Sequence, residues 1–324
     1  MYIKPSACPK CGLTNDNVIK AGYTTPKHNY QPFPRYECKG CGYEFSSRSF
    51  RTNKHQKKPE MNNEIFKWVC SGVSLAQISR NLGISKNTTK AKIEWLAKQS
   101  QIAHQKALYD PNSEHNRVAH IQIDEMETFE ASRFKPLSIT IAIDADSGFI
   151  FALDVATMNA KGPSAVKARL KYGLRKDTRL KSLKLVLNTI RNCKDSVDSD
   201  TLGIEDKSIS IVDEAAIITK TSPKKPMVFS CDSKKTYIPA IKKLFPDAII
   251  NQHLLNKQKR GDPKVHDPLF TINHLCARLR ADVAPLARKS WTTTKSIKGL
   301  QNLLWVYLAW INKYDITNNI NTTK

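Results

Sequence analysis

Two CxxC pairs near the start of the chain restrict its fold more than any other feature. "ACPKCG" supplies Cys8 and Cys11, "YECKGCGYEF" supplies Cys38 and Cys41, and 26 residues separate Cys11 from Cys38. Each CxxC turn can aim two sulfurs at one ion, and Gly12 and Gly42 permit a tight backbone beyond each second cysteine. The spacing is that of a ribbon holding tetrahedral zinc on four cysteines, and it predicts a small β zinc ribbon over 1–48 with a structural Zn²⁺. An iron–sulfur centre, a thioredoxin-like redox pair and chance are the alternatives. Cys70, Cys193, Cys231 and Cys276 stand alone and read as small buried apolar groups.

Charge narrows the partners. Among 324 residues, 52 basic against 29 acidic side chains leave a net charge of +23. That excess concentrates polyanions at the surface, which points to nucleic acid or an anionic membrane. No apolar run approaches the roughly 18 residues needed to cross a bilayer, and "MYIKPSACPK" lacks the apolar core of a signal peptide. The expectation is a cytoplasmic protein with no membrane partner. The length suits two or three domains.

After a basic, polar linker, "SSRSFRTNKHQKKPE", residues 61–100 read as a helix-turn-helix. Ser74 caps a helix from Leu75 to Asn81 with Ile78 and Leu82 on its apolar side, and Gly83 makes the turn. Ile84 is expected to be buried, Ser85 caps the second helix, and Ile93 and Leu96 face inward. Lys86, Asn87, Thr88, Lys90 and Lys92 are then left for phosphates and base edges of double-stranded DNA. An ordinary helical hairpin with a basic outer face is the alternative.

From about 118 to 314 the chain alternates strand-like and helix-like segments, as an α/β domain does. "LSITIAIDADSGFIFALDVATM" reads as two strands joined at Asp146-Ser147-Gly148. "PSAVKARLKYGL" is helical, and residues 190–225 are polar enough to read as an insertion or loop. "PMVFSCDS" is a strand, "KTYIPAIKKLF" a helix and "DAIINQHL" another strand. The tail from about 268 to 314 is mostly helical, with "GLQNLLWVYLAWINKY" a packing helix, and Trp291, Trp305, Trp310 and Tyr307 read as core rather than base-stacking platforms.

Carboxylates gather in "VAHIQIDEMETFE", 118–130, where strand alternation puts Gln122, Asp124 and Met126 on one face and Ile123 and Glu125 on the other. Asp232 ends the strand "MVFSCDS". Aspartates at the ends of two neighbouring strands can share divalent cations, and two-metal phosphoryl transfer asks for such a site. Aspartates also commonly end strands as turn-formers or caps.

The order of motifs resembles that of the bacterial insertion-sequence transposases that join a zinc ribbon to a DDE-type catalytic domain of ribonuclease-H-like fold. The resemblance covers nearly the whole chain: CPxCG and CxxCGxxF, the helix-turn-helix, "IQIDEMETF", "VFSCDSKKTY", and the late stretch "GDPKVHDPLFTINHLCARLRADVAPLARKSWTTTKS". It implies a mixed sheet flanked by helices over 118–314, with Asp124 and Asp232 in the first two acidic positions. The usual third glutamate is replaced by Asn273, which can offer a carbonyl oxygen but no charge. Either this branch works with Asp, Asp and Asn or the copy is inactive. His274 follows directly, yet helical neighbours diverge by about 100°. Asp267 and Asp282 are secondary acidic candidates.

The resemblance implies that Asp124, Asp232 and Asn273 hold two Mg²⁺ ions, with Mn²⁺ as a substitute. Water would free a 3′-hydroxyl at the element end, and that hydroxyl would attack target DNA with no covalent protein–DNA intermediate. Arg278, Arg280, Arg288, Lys289 and Lys295 form a basic series around the late helices that would grip DNA backbone. Lys234 and Lys235 would neutralise a phosphate or form a solvated helix start, and His253 ends a strand beside a basic run. Pairing two element ends implies a homodimer or larger assembly at the nucleoid. A non-catalytic DNA-binding regulator is the alternative, and a nuclease acting on RNA hybrids leaves the front end without a purpose.

Overall fold

The structure is a computed structural model describing residues 5–24, 32–46, 49, 56–110, 119–204, 226–254, 267–287 and 292–317, with the backbone alone for 195–204. It divides into two compact units, the first ending at Asn62 and the second spanning 63–316. Unit one holds an antiparallel sheet of β1 (Val18–Thr24), β2 (Phe33–Cys38) and β3 (Glu44–Ser46), with β2 central. Among the described residues its buried core is small: Val18, Tyr36 and Phe45 packed with Cys8 and Cys38. So little apolar surface cannot offset the chain entropy of a fold this size, and such units need a metal or another staple.

Unit two opens with α1 (Asn62–Val69), α2 (Leu75–Asn81) and α3 (Lys86–Leu108). Ser74 caps α2 through a capping box: its hydroxyl accepts from the Gln77 amide, and the Gln77 side chain accepts from the Ser74 amide. Gly83 turns the chain at φ +59°, and Ser85 caps α3 by accepting from the Thr88 amide at 3.0 Å. Ile78, Ile93 and Leu96 are buried as expected, whereas Ile84 is half-buried. The second helix does not stop near residue 100. Its inward stripe continues through Ser100, His104 and Leu108, and it packs along α8 (Ile297–Ile311), so α1–α3 share one compact unit with the sheet.

The sheet of unit two has five strands in the order β6-β5-β4-β7-β8: β6 (Ile150–Thr157), β5 (Pro136–Asp144), β4 (His120–Phe129), β7 (Val228–Asp232) and β8 (Ile249–His253). β5 runs antiparallel to both its neighbours, while β4, β7 and β8 are mutually parallel. Asp144 closes the β5–β6 hairpin by accepting from the Ser147 amide at 3.1 Å, and Gly148 sits at φ +73°. β5 is buried on both faces, as a strand covered by helices on each side must be.

Helices cover each face. On one, α5 (Arg179–Ile204) and α6 (Tyr237–Leu244) close a core containing Ile121, Ile123, Phe229, Cys231, Leu183, Val186 and Ile190. On the other lie α7 (Phe270–Asp282), against β4 and β5, and α8, against β6. The short α4 (Ser164–Tyr172) is largely exposed. The stretch 190–225 is in part corrected: 190–204 continues α5, because Ile190 and Cys193 extend its buried stripe by one more turn, and 205–225 lie outside the described residues. No described helix is long and apolar enough to cross a membrane.

Candidate functional site

Two turns of the same form build the thiol cluster. The Cys8 amide donates to Leu13 O and the Gly12 amide to Cys8 O; the Cys38 amide likewise donates to Tyr43 O and the Gly42 amide to Cys38 O. Gly12 (φ +75°) and Gly42 (φ +64°) take the left-handed conformation that closes each turn. The four sulfurs lie within 4.8 Å of one another, with Cys8–Cys41 at 3.7 Å and Cys11–Cys38 at 3.6 Å. A tetrahedral metal with bonds of about 2.3 Å needs sulfurs about 3.8 Å apart, and a disulfide needs them near 2 Å. The cluster therefore suits a metal ion such as zinc and excludes disulfides in this arrangement.

The acidic residues converge by another route. β4 and β7 are parallel and in register from His120↔Val228 to Ile123↔Cys231, so Asp124 and Asp232 are the next pair along. Because Gln122 faces Ser230, both aspartates fall on the sheet face that α7 covers. Gln122, 4% exposed, fixes α7 there: its Nε2 donates to Pro268 O at 3.1 Å and its Oε1 accepts from the Ile272 amide at 2.9 Å. Burial first, and then the charge of Asp124, push the Cys276 thiol of α7 up to about 12. Asn273 lies one turn before Cys276, half-buried, and its Nδ2 donates to Asp267 Oδ2 at 2.8 Å.

That bond commits the nitrogen of Asn273 and leaves its carbonyl oxygen as the atom suited to a cation. Among the described His, Cys, Asp and Glu residues, the only group of three or more with ligand atoms within 4.8 Å of one another is the cysteine quartet. Asp267 therefore does not complete a tight three-acid cluster with the aspartate pair. Its other oxygen accepts from the Leu269 amide at 2.9 Å, which makes it a device for starting α7. Asp282 accepts a 2.5 Å bond from Tyr307 and lies 3.8 Å from Arg278, a structural role.

The opposite sheet face carries a feature that sequence reasoning missed. Lys234, expected to meet a phosphate or solvent, instead pairs with Glu125, whose other oxygen accepts from Ser138 Oγ at 2.7 Å. Beneath them lies the fully buried Tyr237, its ring 5.3 Å from the Lys234 ammonium. Burial, and then the charges of Glu125, Asp124 and Asp232, push the Tyr237 phenol well above its ordinary range. A Lys two residues after a strand-ending Asp was the available signal, but its partner is 109 residues away.

Of the helical DNA-contact candidates, Lys86, Asn87 and Lys90 are exposed and Thr88 is half-buried. Lys92 is corrected: at 3% exposure it is buried, because it lies three residues beyond the buried Thr89 on the inward stripe. Arg280 and Lys295 are exposed and Arg278 is half-buried, while Arg288, Lys289 and Trp291 lie outside the described residues. His274 is exposed and stacks on Phe270 at 5.8 Å, and His253 is half-buried at the end of β8. Tyr307 is core as expected, but Trp310 is 40% exposed. A cleft lined by Asp146, His274, Arg278 and Lys313 runs beside α7 without including Asp124, Asp232 or Asn273. No family model matches the chain, and no curated protein matches it significantly.

Proposed function

We propose that the chain is a DNA transposase of the insertion-sequence kind, with a zinc ribbon, a helix-turn-helix and a ribonuclease-H-like catalytic domain. The observation that carries this reading is the parallel pairing of β4 with β7, which aligns Asp124 and Asp232 on the face covered by α7, the helix to which Asn273 belongs. Two carboxylates and an amide oxygen are hard donors of the type Mg²⁺ or Mn²⁺ takes. When bound, such ions activate the attacking oxygen and neutralise the leaving one. Asp124 and Asp232 would bind from the sheet, while Asn273, turned by its bond to Asp267, would complete the set from α7. The four-cysteine cluster would hold structural Zn²⁺, consistent with sulfur separations of 3.6 and 3.7 Å.

Exposed Lys86, Asn87 and Lys90 at the start of α3 would contact the element end, and a net charge of +23 favours double-stranded DNA as partner. Synapsis of two ends would require at least a dimer, working at the nucleoid in the cytoplasm. One observation favours a second reading, a DNA-binding regulator or inactive copy: the third ligand position holds an uncharged amide already bonded to Asp267. The test is a labelled element end with Mg²⁺ or Mn²⁺. Asp124→Ala should lose strand transfer entirely while retaining the mobility shift of end binding. Strand joining by that variant would refute the site, and a wild-type protein that shifts the end without nicking it would select the regulator.

A further inference from the structure

The ladder between β4 and β7 runs out at Ile123↔Cys231, one residue before the two aspartates. Past that end the ion pair of Lys234 with Glu125 joins the two segments. Each partner also holds one aspartate through its main chain. The Glu125 amide donates to Asp124 Oδ1 at 2.7 Å, and the Lys234 amide donates to Asp232 Oδ1 at 3.1 Å. Side chains therefore join, on one face, the same two residues whose amides orient the carboxylates on the other.

We infer that the Lys234–Glu125 pair is a positioning clamp that fixes the spacing of the Asp124 and Asp232 carboxylates. The inference rests on reading those aspartates as metal ligands. Three further contacts fix the clamp itself. Ser138 Oγ on β5 holds the second Glu125 oxygen, the Tyr237 ring supports the ammonium, and the Gln252 side chain donates to the carbonyls of Asp232 and Lys234 at 3.4 Å each. The side chains of Glu125 and Lys234 are 9% and 26% exposed. An ion pair with one buried and one part-exposed partner adds little net stability, because desolvation of the carboxylate and screening of the ammonium offset the attraction. Its geometric consequence is the better account of it. The bond also confines the ammonium to the face opposite the aspartates, where it does not compete with a cation for them.

Calorimetric titration of Mn²⁺ into the full, zinc-loaded chain tests this without relying on activity, using Asp124→Asn as the reference for loss of the site. Lys234→Met should bind Mn²⁺ about 10-fold or more weakly, the usual cost of removing a group that orients a ligand. Lys234→Arg, which keeps the charge and the reach, should stay within about 3-fold of wild type, and Ser138→Ala should fall between. If Lys234→Met fails to fold, the Ser138→Ala and Lys234→Arg pair decides by the same ordering. Wild-type affinity in Lys234→Met, or in Ser138→Ala where that pair decides, overturns the clamp alone. Binding by wild-type protein that Asp124→Asn leaves unchanged overturns the metal reading and the clamp with it.

Discussion

The thiol cluster and the acidic pair are both candidate metal sites, yet they are assembled over different ranges of chain. The cysteine ligands come from two short turns of one form, and the Cys8–Cys41 contact spans 33 residues. The acidic pair depends on two strands brought parallel, and on a helix anchored by a contact spanning 146 residues, from Gln122 to Pro268. In the ribbon the ligands are themselves core, since Cys8 and Cys38 are buried with Val18, Tyr36 and Phe45. In the second unit a large apolar core exists without the aspartates, which occupy its rim. Metal should therefore make the fold of the first unit and only use the fold of the second.

The largest test of that contrast is Cys38→Ser. Removing one of four ligands from a structural site forfeits most of a binding energy that in small zinc domains is about 10 kcal/mol or more. Unit one should lose its amide dispersion and its metal, measured by heteronuclear NMR and atomic absorption, while unit two keeps its melting transition. Asp124→Ala should instead leave both folds intact. A ribbon that stays folded without metal would break the contrast.

This difference in range also decides what was legible. The CxxC turns, the α2 and α3 caps and the β5–β6 hairpin are local patterns, and each lies where its residues predict. The assignment of Asp124 and Asp232 to one face required strand order as well as alternation. Alternation is visible in "IQIDEMET", but the parallel neighbourhood of β4 and β7 is set by packing between segments more than 100 residues apart. Lys234 and Gln122 were illegible for the same reason: a lysine and a glutamine acquire a role only from their distant partners. Nothing stops α3 near residue 100, and Pro111, three residues past Leu108, is the local signal for its end; the packing on α8 that rewards the added turns is not visible in the sequence.

A second test exploits the two populations of cysteine. Burial pushes the Cys231 thiol up to about 11, helped by the charges of Asp232 and Asp124, and burial with Asp124 pushes Cys276 up to about 12. Near neutral pH each further unit of pKa lowers the thiolate fraction about tenfold, and the thiolate is the reacting form. In the folded ribbon the Cys41 thiol is also raised, to about 12, so the contrast depends on a chelator unfolding the ribbon. Iodoacetamide should then alkylate the four exposed ribbon thiols at least about 100-fold faster than Cys231 and Cys276. The folded state keeps these two thiols protonated above their unfolded range. Their contribution is thus complete below about pH 8.5 and is lost as pH rises toward the folded values. Peptide mapping after timed quenching reads the rates. Equal rates would mean that unit two opens as readily as the stripped ribbon.

Gln122→Leu probes the long-range side at smaller cost. The leucine fills similar space but leaves the Ile272 amide and the Pro268 carbonyl without the partner they have now. A buried amide and a part-buried carbonyl losing one bond each should cost about 2 kcal/mol. The loss should be centred on α7, so hydrogen exchange there should quicken more than in α5. Uniform acceleration across the sheet would show that Gln122 supports the core at large and not the placement of α7.

Ser74→Ala should be the smallest change and the purest local one. The hydroxyl caps α2 by accepting from the Gln77 amide, and Gln77 returns a bond to the Ser74 amide, all within three residues. Alanine removes one half of that exchange at an exposed position where water can replace it, which limits the cost to about 1 kcal/mol. For a unit of this size that lowers the melting midpoint by about 3 °C. Ser74→Asp should recover most of the loss, because a carboxylate accepts the same bond and suits the positive end of the helix. The Gln77 amide should exchange faster in the alanine variant, with protection in β4 and β7 unchanged. If protection in those strands fell as well, the turn between α1 and α2 would be coupled to the sheet, and the separation between locally built and distantly built parts of this chain would not hold.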